Sequence, residues 1–155
     1  MIPIIIALVA LSWFLVWAIR HVGVPTSISS LYYENKIRWT YTLVISGIGA
    51  LMTFVAPYSL IHWAGVSLIL GTAAPHFRDV FSLSKLIHFG LTGATALLAV
   101  WYVGGVWMGF GAVVLLAMAK LLENDLKTSV FWVEAFLFYG VFLALLLAFN
   151  GLYNV

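Results

Sequence analysis

Glu134, Lys120 and His88 stand inside otherwise apolar runs, and each ionisable group there needs a physical reason. At bilayer depth a charged side chain costs about 2.5–3.5 kcal/mol on insertion scales. Carboxylates and imidazoles hold Zn²⁺ and similar borderline cations, so His76, Asp79, His88 and Glu134 form a candidate divalent-metal set. Water on such a metal would attack an ester or amide. Ser84 and His88, one helical turn apart, have the spacing of a nucleophile and its base, and Glu134 is a third candidate for acid–base work. Against both schemes, no HxxxH or HExxH pattern sets two imidazoles on one helix face, and no third orienting group accompanies Ser84 and His88. Each residue also has an ordinary structural reading. Glu134 pairs with Lys120 or snorkels; His88 is a neutral imidazole bonded to a carbonyl or to Ser84; His76 and Asp79 share a solvated turn with Arg78. The ordinary reading is the expectation for each, and no residue is assigned a catalytic role.

The elements that would position these groups follow from composition. Of 155 residues, 65% are hydrophobic and 8% charged, against about 25% charged in a typical soluble domain. Such a chain has too few polar groups to coat a water-facing surface, and too much apolar character for disorder. Seven Lys and Arg, with a net charge of +2, are too few for a nucleic-acid surface. Absence of cysteine removes disulfides, thiolate nucleophiles and Cys-ligated metals. No positive charge precedes the first apolar run, while Arg20 and His21 follow it, so it reads as a retained span and not a cleaved signal.

A membrane helix needs roughly 17–25 apolar residues. The expected fold is therefore all-α: a single polytopic bundle of six transmembrane helices with short loops, at about 2–19, 39–56, 58–74, 86–103, 105–122 and 130–149. Barrel strands are excluded by the lack of alternation. Arg20, Lys36, Arg38, Arg78, Lys85, Lys120 and Lys127 all belong to the connections after the first, third and fifth spans, or to their edges. Positive short loops stay inside. That places both termini outside a cytoplasmic membrane and brings His88, Lys120 and Glu134 to similar depth near the inner face, where consecutive helices would let them converge. His62 beside Trp63 falls at the outer face.

The long connection HVGVPTSISSLYYENKIRW has Pro25 and four hydroxyls, Thr26, Ser27, Ser29 and Ser30, marking a turn and a helix N-cap. Leu31 to Trp39 reads as a short helix in the headgroup layer, aromatics inward and cations outward, with Arg38, Lys85 and Trp39 meeting lipid headgroups. Small residues mark helix contacts or self-association: Ser46 with Ala50, Gly47 with Gly49, Gly90 with Ala94, and Gly105 with Gly109. A shift of about 44 places sets Gly49 on Gly93, Tyr58 on Tyr102 and Gly65 on Gly109, the pattern a duplicated hairpin would leave.

PTSIS after the first span, APHF ending the third and IHFGLTGA opening the fourth resemble small six-span proteins of unknown function from gut bacteria and their phages. More distantly the chain is similar to DRAM-like families, with their proline–serine motif and a later histidine opening a span. The resemblance runs through about Gly93 and implies a six-helix bundle with Ser27, Ser29 and His88 at the motif positions. Ser30 stands where such families often carry an acidic residue.

Three functional expectations result. The first is a non-catalytic membrane component whose partners are lipids, other membrane subunits or a second copy. The second is an intramembrane metal-dependent hydrolase or small-molecule binder working at the inner leaflet. The third is a small transporter subunit. It is the least favoured, because a pore needs polar groups through the whole bilayer depth and the span centres offer chiefly Ser46, Thr53, Ser67, Thr92 and Thr95.

Overall fold

Pro3 lies in the first turn of the first helix, where its missing N–H breaks no bond, and Gly23 ends that helix at φ 78°, donating its N–H to the Ile19 carbonyl at 2.9 Å. The computed structural model describes residues 1–73, 83–103 and 126–149. Among these residues every regular element is helical: α1 (Ile2–Val22), a 3-10 segment (Ser29–Tyr33), α2 (Arg38–Val55), α3 (Leu60–Ala73), α4 (Leu83–Tyr102) and α5 (Leu126–Phe149).

Helix α1 buries Ile4, Ala7, Leu11, Phe14 and Ala18 at three- and four-residue spacing, while Ile6, Val9, Trp13 and Val16 on its other face are exposed. A helix apolar all round needs an apolar surrounding as well as an apolar partner. The helices pack in chain order, α1 on α2, α2 on α3 and α3 on α4, and α5 returns against both α1 and α4. A bond of 2.7 Å between the hydroxyls of Ser12 and Tyr139 ties α5 to α1.

Expected spans one, two, four and six coincide with α1, α2, α4 and α5. By length and composition, Ile2–Val22 and Val130–Phe149 are the two described helices long and apolar enough to cross a membrane. The expectation of six full-length apolar helices is therefore met only in part. The described part of α3, Leu60–Ala73, rises roughly 21 Å at 1.5 Å per residue. It follows a turn in which Tyr58 takes φ 63° and the Ser59 N–H and hydroxyl both donate to the Ala56 carbonyl. Helix α2 opens on the polar run Arg38, Thr40 and Thr42. The fifth span, 105–122, lies outside the described residues, and with it the Gly105–Gly109 pair and half of the expected repeat.

Glycine sets the closest helix contact. An added Cβ on Gly65 would fall 2.5 Å from the Gly49 carbonyl oxygen, and one on Gly49 would fall 2.9 Å from the Gly65 carbonyl oxygen. Backbone therefore meets backbone where α2 crosses α3, and van der Waals packing of this kind holds helices together in lipid. The His62 Nδ1–H donates to the Thr53 carbonyl at 2.9 Å and locks the same hairpin. Gly47 and Gly90, expected as contact residues, would each carry a Cβ with no described atom within 4 Å. Gly93 likewise differs from Gly49, its counterpart in the expected repeat.

Gly65→Ala must force α2 and α3 apart, at a cost of about 1–3 kcal/mol. Purified protein in detergent should then melt about 2–10 °C lower. Gly47→Ala, which meets open space, should leave the melting temperature unchanged or slightly raised. Equal melting temperatures for Gly65→Ala and wild type would contradict the close crossing.

Candidate functional site

On α5 the inward stripe runs Phe131, Ala135, Val141, Phe142 and Leu145, and Glu134 lies beside it, one turn from both Phe131 and Phe138. A carboxylate in that position must find donors or stay uncompensated. They come from the connection between α1 and α2, 106 residues away: the Ile28 N–H donates to Glu134 Oε2 at 2.5 Å, and the Ser29 amide lies against the same carboxylate. These amides open the 3-10 segment, whose first N–H groups have no partner within the segment itself. The acid and the orphan donors satisfy each other.

The serine-rich turn holds those amides in place. The Ser30 N–H donates to Ser27 Oγ at 3.0 Å, the Ser27 N–H donates to Ser30 Oγ at 3.2 Å, and the Ser30 hydroxyl donates to the Ser27 carbonyl at 2.7 Å. A reciprocal pairing of this kind is the logic of a capping box. The residue that immediately precedes the 3-10 segment is Ile28, which offers no side-chain cap, so of the four hydroxyls expected to mark the turn Ser27 and Ser30 close it upon each other. Ser27 and Ser29 hydroxyls, 3.0 Å apart, complete the turn.

The segment after the turn departs from expectation. Leu31 and Tyr32 are buried, as are Ile28 and Ile37, and they belong to the main core. Tyr32 meets the Tyr41 ring edge-on at 6.0 Å. The connection therefore packs its apolar side chains into the main core. The physical reason is the carboxylate, which draws Ile28 and Ser29 inward. Arg38, expected at lipid phosphates, reaches back over this segment: Nε donates to the Tyr32 carbonyl and Nη2 to Asn35 Oδ1, both at 3.4 Å, with the guanidinium 5.2 Å from the Tyr32 ring centre. Trp39 remains largely exposed.

Behind Glu134 lies a cavity of about 100 Å³ between α2, α3, α4 and α5. Ile45, Met52, Leu68, Ala96, Ala99 and Phe142 give it apolar walls. Its lining threonines are already bonded to their own helix, Thr92 Oγ1 to the His88 carbonyl and Thr95 Oγ1 to the Leu91 carbonyl. Polarity is concentrated where Glu134, Ser29 and Tyr41 meet the cavity. Tyr41 is buried, packs against Phe14 and Tyr32, and lies within electrostatic reach of Glu134. Its hydroxyl has no hydrogen-bond partner among the described residues.

His88 is elsewhere. Buried between α3 and α4, its Nδ1 is 2.8 Å from the Gly71 carbonyl. A carbonyl can only accept, so Nδ1 carries the proton. That is the carbonyl-bonded histidine of the ordinary reading. His88 and Glu134 are thus engaged by different segments, and among the described residues no group of three His, Asp or Glu is gathered to hold a metal. His76, Asp79 and Lys120 lie outside the described residues, as do the side chains of Ser84 and Lys85, so the metal set, the Lys120–Glu134 pair and the Ser84–His88 pair extend beyond them. Sequence reasoning missed the Ile28 and Ser29 amides and Tyr41. The one signal for Tyr41 was its place four residues before Ile45 on the inward stripe of α2.

Comparison with family models, with curated proteins and with solved structures finds no match. The site must therefore be read from its own geometry.

Removing the carboxylate tests the latch. Charge-assisted hydrogen bonds contribute about 1.5–3 kcal/mol. In Glu134→Ala the Ile28 amide should exchange its hydrogen about 10- to 100-fold faster, with Glu134→Gln intermediate because it keeps an acceptor. Unchanged protection at Ile28 would contradict the contact.

Proposed function

We propose that the protein is a multi-pass component of the cytoplasmic membrane that binds a small amphiphilic molecule between its helices and does not turn it over. The observation that carries this reading is an apolar cavity with one charged end, enclosed by helices whose outward faces are themselves apolar. Leu43, Leu97 and Trp101 are each more than 70% exposed, and Val9, Leu70, Leu86 and Leu143 more than half. Large apolar side chains exposed on every described helix demand a non-aqueous surrounding. Trp39, Trp63, Trp101 and Trp132, all exposed, lie near helix ends, where indole rings favour the headgroup level.

Within that membrane we read six crossings, with the 24–37 connection inside and both termini outside. The distribution of Lys and Arg supports this orientation. Binding is favoured over turnover by what the polar groups do. Glu134 accepts from the backbone amides of one segment and His88 donates to a backbone carbonyl of another, so the two do not converge as an acid–base pair. The cavity is also small. A void of about 150 Å³ holds benzene, so this one takes a slender ligand and not a two-chain phospholipid.

With no native cysteine, single cysteines report topology cleanly. Tyr58→Cys should react with a membrane-impermeant maleimide in intact cells, and Asn35→Cys only after permeabilisation. Reaction of both from one side would contradict the orientation. For the binding role, native mass spectrometry of the gently released protein should find an adduct lighter than a phospholipid. Filling the cavity with Ala99→Phe should abolish it. An adduct that persists in Ala99→Phe, or none in wild type, would contradict the reading.

A further inference from the structure

We infer that the cavity selects a slender organic amine, with Glu134 as the counter-ion of its ammonium group and Tyr41 as a second polar contact. The inference rests on the cavity-binding reading above and adds the chemistry of the ligand head. Four observations carry it.

An ionised carboxylate is an acceptor at both oxygens. The Ile28 amide engages Oε2, and the two backbone amides bring partial charge but no cation. Among the described residues no ion pair with Glu134 is formed; Arg38, the nearest in sequence to the 3-10 segment of the described cations that bond, is turned onto Tyr32 and Asn35. Among the described residues, then, the acid keeps acceptor capacity and meets no cation at the cavity. A ligand that donates and carries positive charge complements it, whereas a carboxylate or phosphate is repelled.

Tyr41 supplies the second observation. Its hydroxyl is buried at the same end of the cavity and is unpartnered among the described residues. Leaving a buried polar group unmet costs about 1–3 kcal/mol. An ammonium has three N–H donors, enough to reach the carboxylate and the phenol oxygen together, while its charge is attracted to the aromatic face.

Shape is the third. Lining residues run along α5 from Glu134 to Phe142, roughly 12 Å at 1.5 Å per residue, and small side chains at Ala96 and Ala99 keep the facing wall of α4 open. A space of about 100 Å³ is smaller than one that holds benzene and suits a single thin alkyl chain. Fourth, none of the described lining residues past the polar end is ionisable, and Thr92 and Thr95 direct their hydroxyl protons to their own helix. The ligand is thus charged at one end only.

The test uses the full chain in nanodiscs, with hexylammonium and its neutral counterpart hexanol as probes, and reads apparent affinity from the rise in melting temperature. Wild type should bind hexylammonium about tenfold or more tightly than hexanol. Glu134→Gln should bring the two affinities close to equal. Tyr41→Phe, which leaves the loop latch intact, should weaken hexylammonium about three- to tenfold and leave hexanol unchanged. Ala99→Phe should abolish binding of both. Equal affinities in wild type would overturn the amine inference while leaving a cavity that binds neutral chains. Amine preference that survives in both Glu134→Gln and Tyr41→Phe would overturn it too. Failure of wild type to bind either probe, or unaltered binding in Ala99→Phe, would overturn the cavity reading itself.

Discussion

One half-buried carboxylate sets the terms for this structure. Glu134 sits on the inward side of α5 among Phe131, Phe138 and Phe142, where an unmet charge would cost several kcal/mol. Its donors are the amides of Ile28 and Ser29, which would themselves be orphans at the start of a 3-10 segment. Joining them pulls the connection between α1 and α2 into the main core. Burial of Ile28, Leu31 and Tyr32 follows from that, as does the position of Tyr41, which Tyr32 packs against. Arg38 then clasps the segment from the first turn of α2. Sequence neighbours do little of this; the decisive contact spans 106 residues.

The other helix contacts are those expected if the bundle lies in an apolar solvent, as proposed. Where lipid removes the hydrophobic drive between helices, close backbone approach and single buried hydrogen bonds take over. Gly49 and Gly65 let α2 and α3 touch through their main chains, His88 bonds α4 to the carbonyl of Gly71, and Ser12 bonds α1 to Tyr139 on α5. Each tie lies between elements adjacent in the bundle. The space left in the middle, narrowed by Phe138 and Phe142 but opened by Ala96 and Ala99, is the cavity. Rigid walls and one polar end are what a binding site requires, and the hydroxyls of Thr92 and Thr95 add little because their helix already uses them.

Much of the fold was legible in the sequence, for reasons that can be named. Apolar run lengths placed α1, α2, α4 and α5 to within a few residues, and the hydroxyl-rich run 26–30 marked the turn that Ser27 and Ser30 close. Glu134 and His88 stood out as exceptions within apolar runs, and both are indeed held by hydrogen bonds. Their partners were illegible because they are backbone groups: an amide of Ile28 or a carbonyl of Gly71 has no signature in residue type. The same limit explains the connection after α1. Leu31, Tyr32 and Tyr33 suit a headgroup layer as well as a core, and only the location of the carboxylate separates the two. Tyr41 was hidden among other inward residues of α2, since its importance comes from the cavity behind it.

The bond between the Ile28 amide and the Glu134 carboxylate holds the connection to α5. Solid-state NMR on the full chain in lipid bilayers measures it directly, by dipolar recoupling between ¹⁵N at Ile28 and ¹³C at the Glu134 carboxylate. Strong dephasing that disappears in Glu134→Ala is the expected result. Absence of coupling in the wild-type protein, with all helices intact, would mean that the connection is not latched to α5, and the closed end of the cavity would go with it.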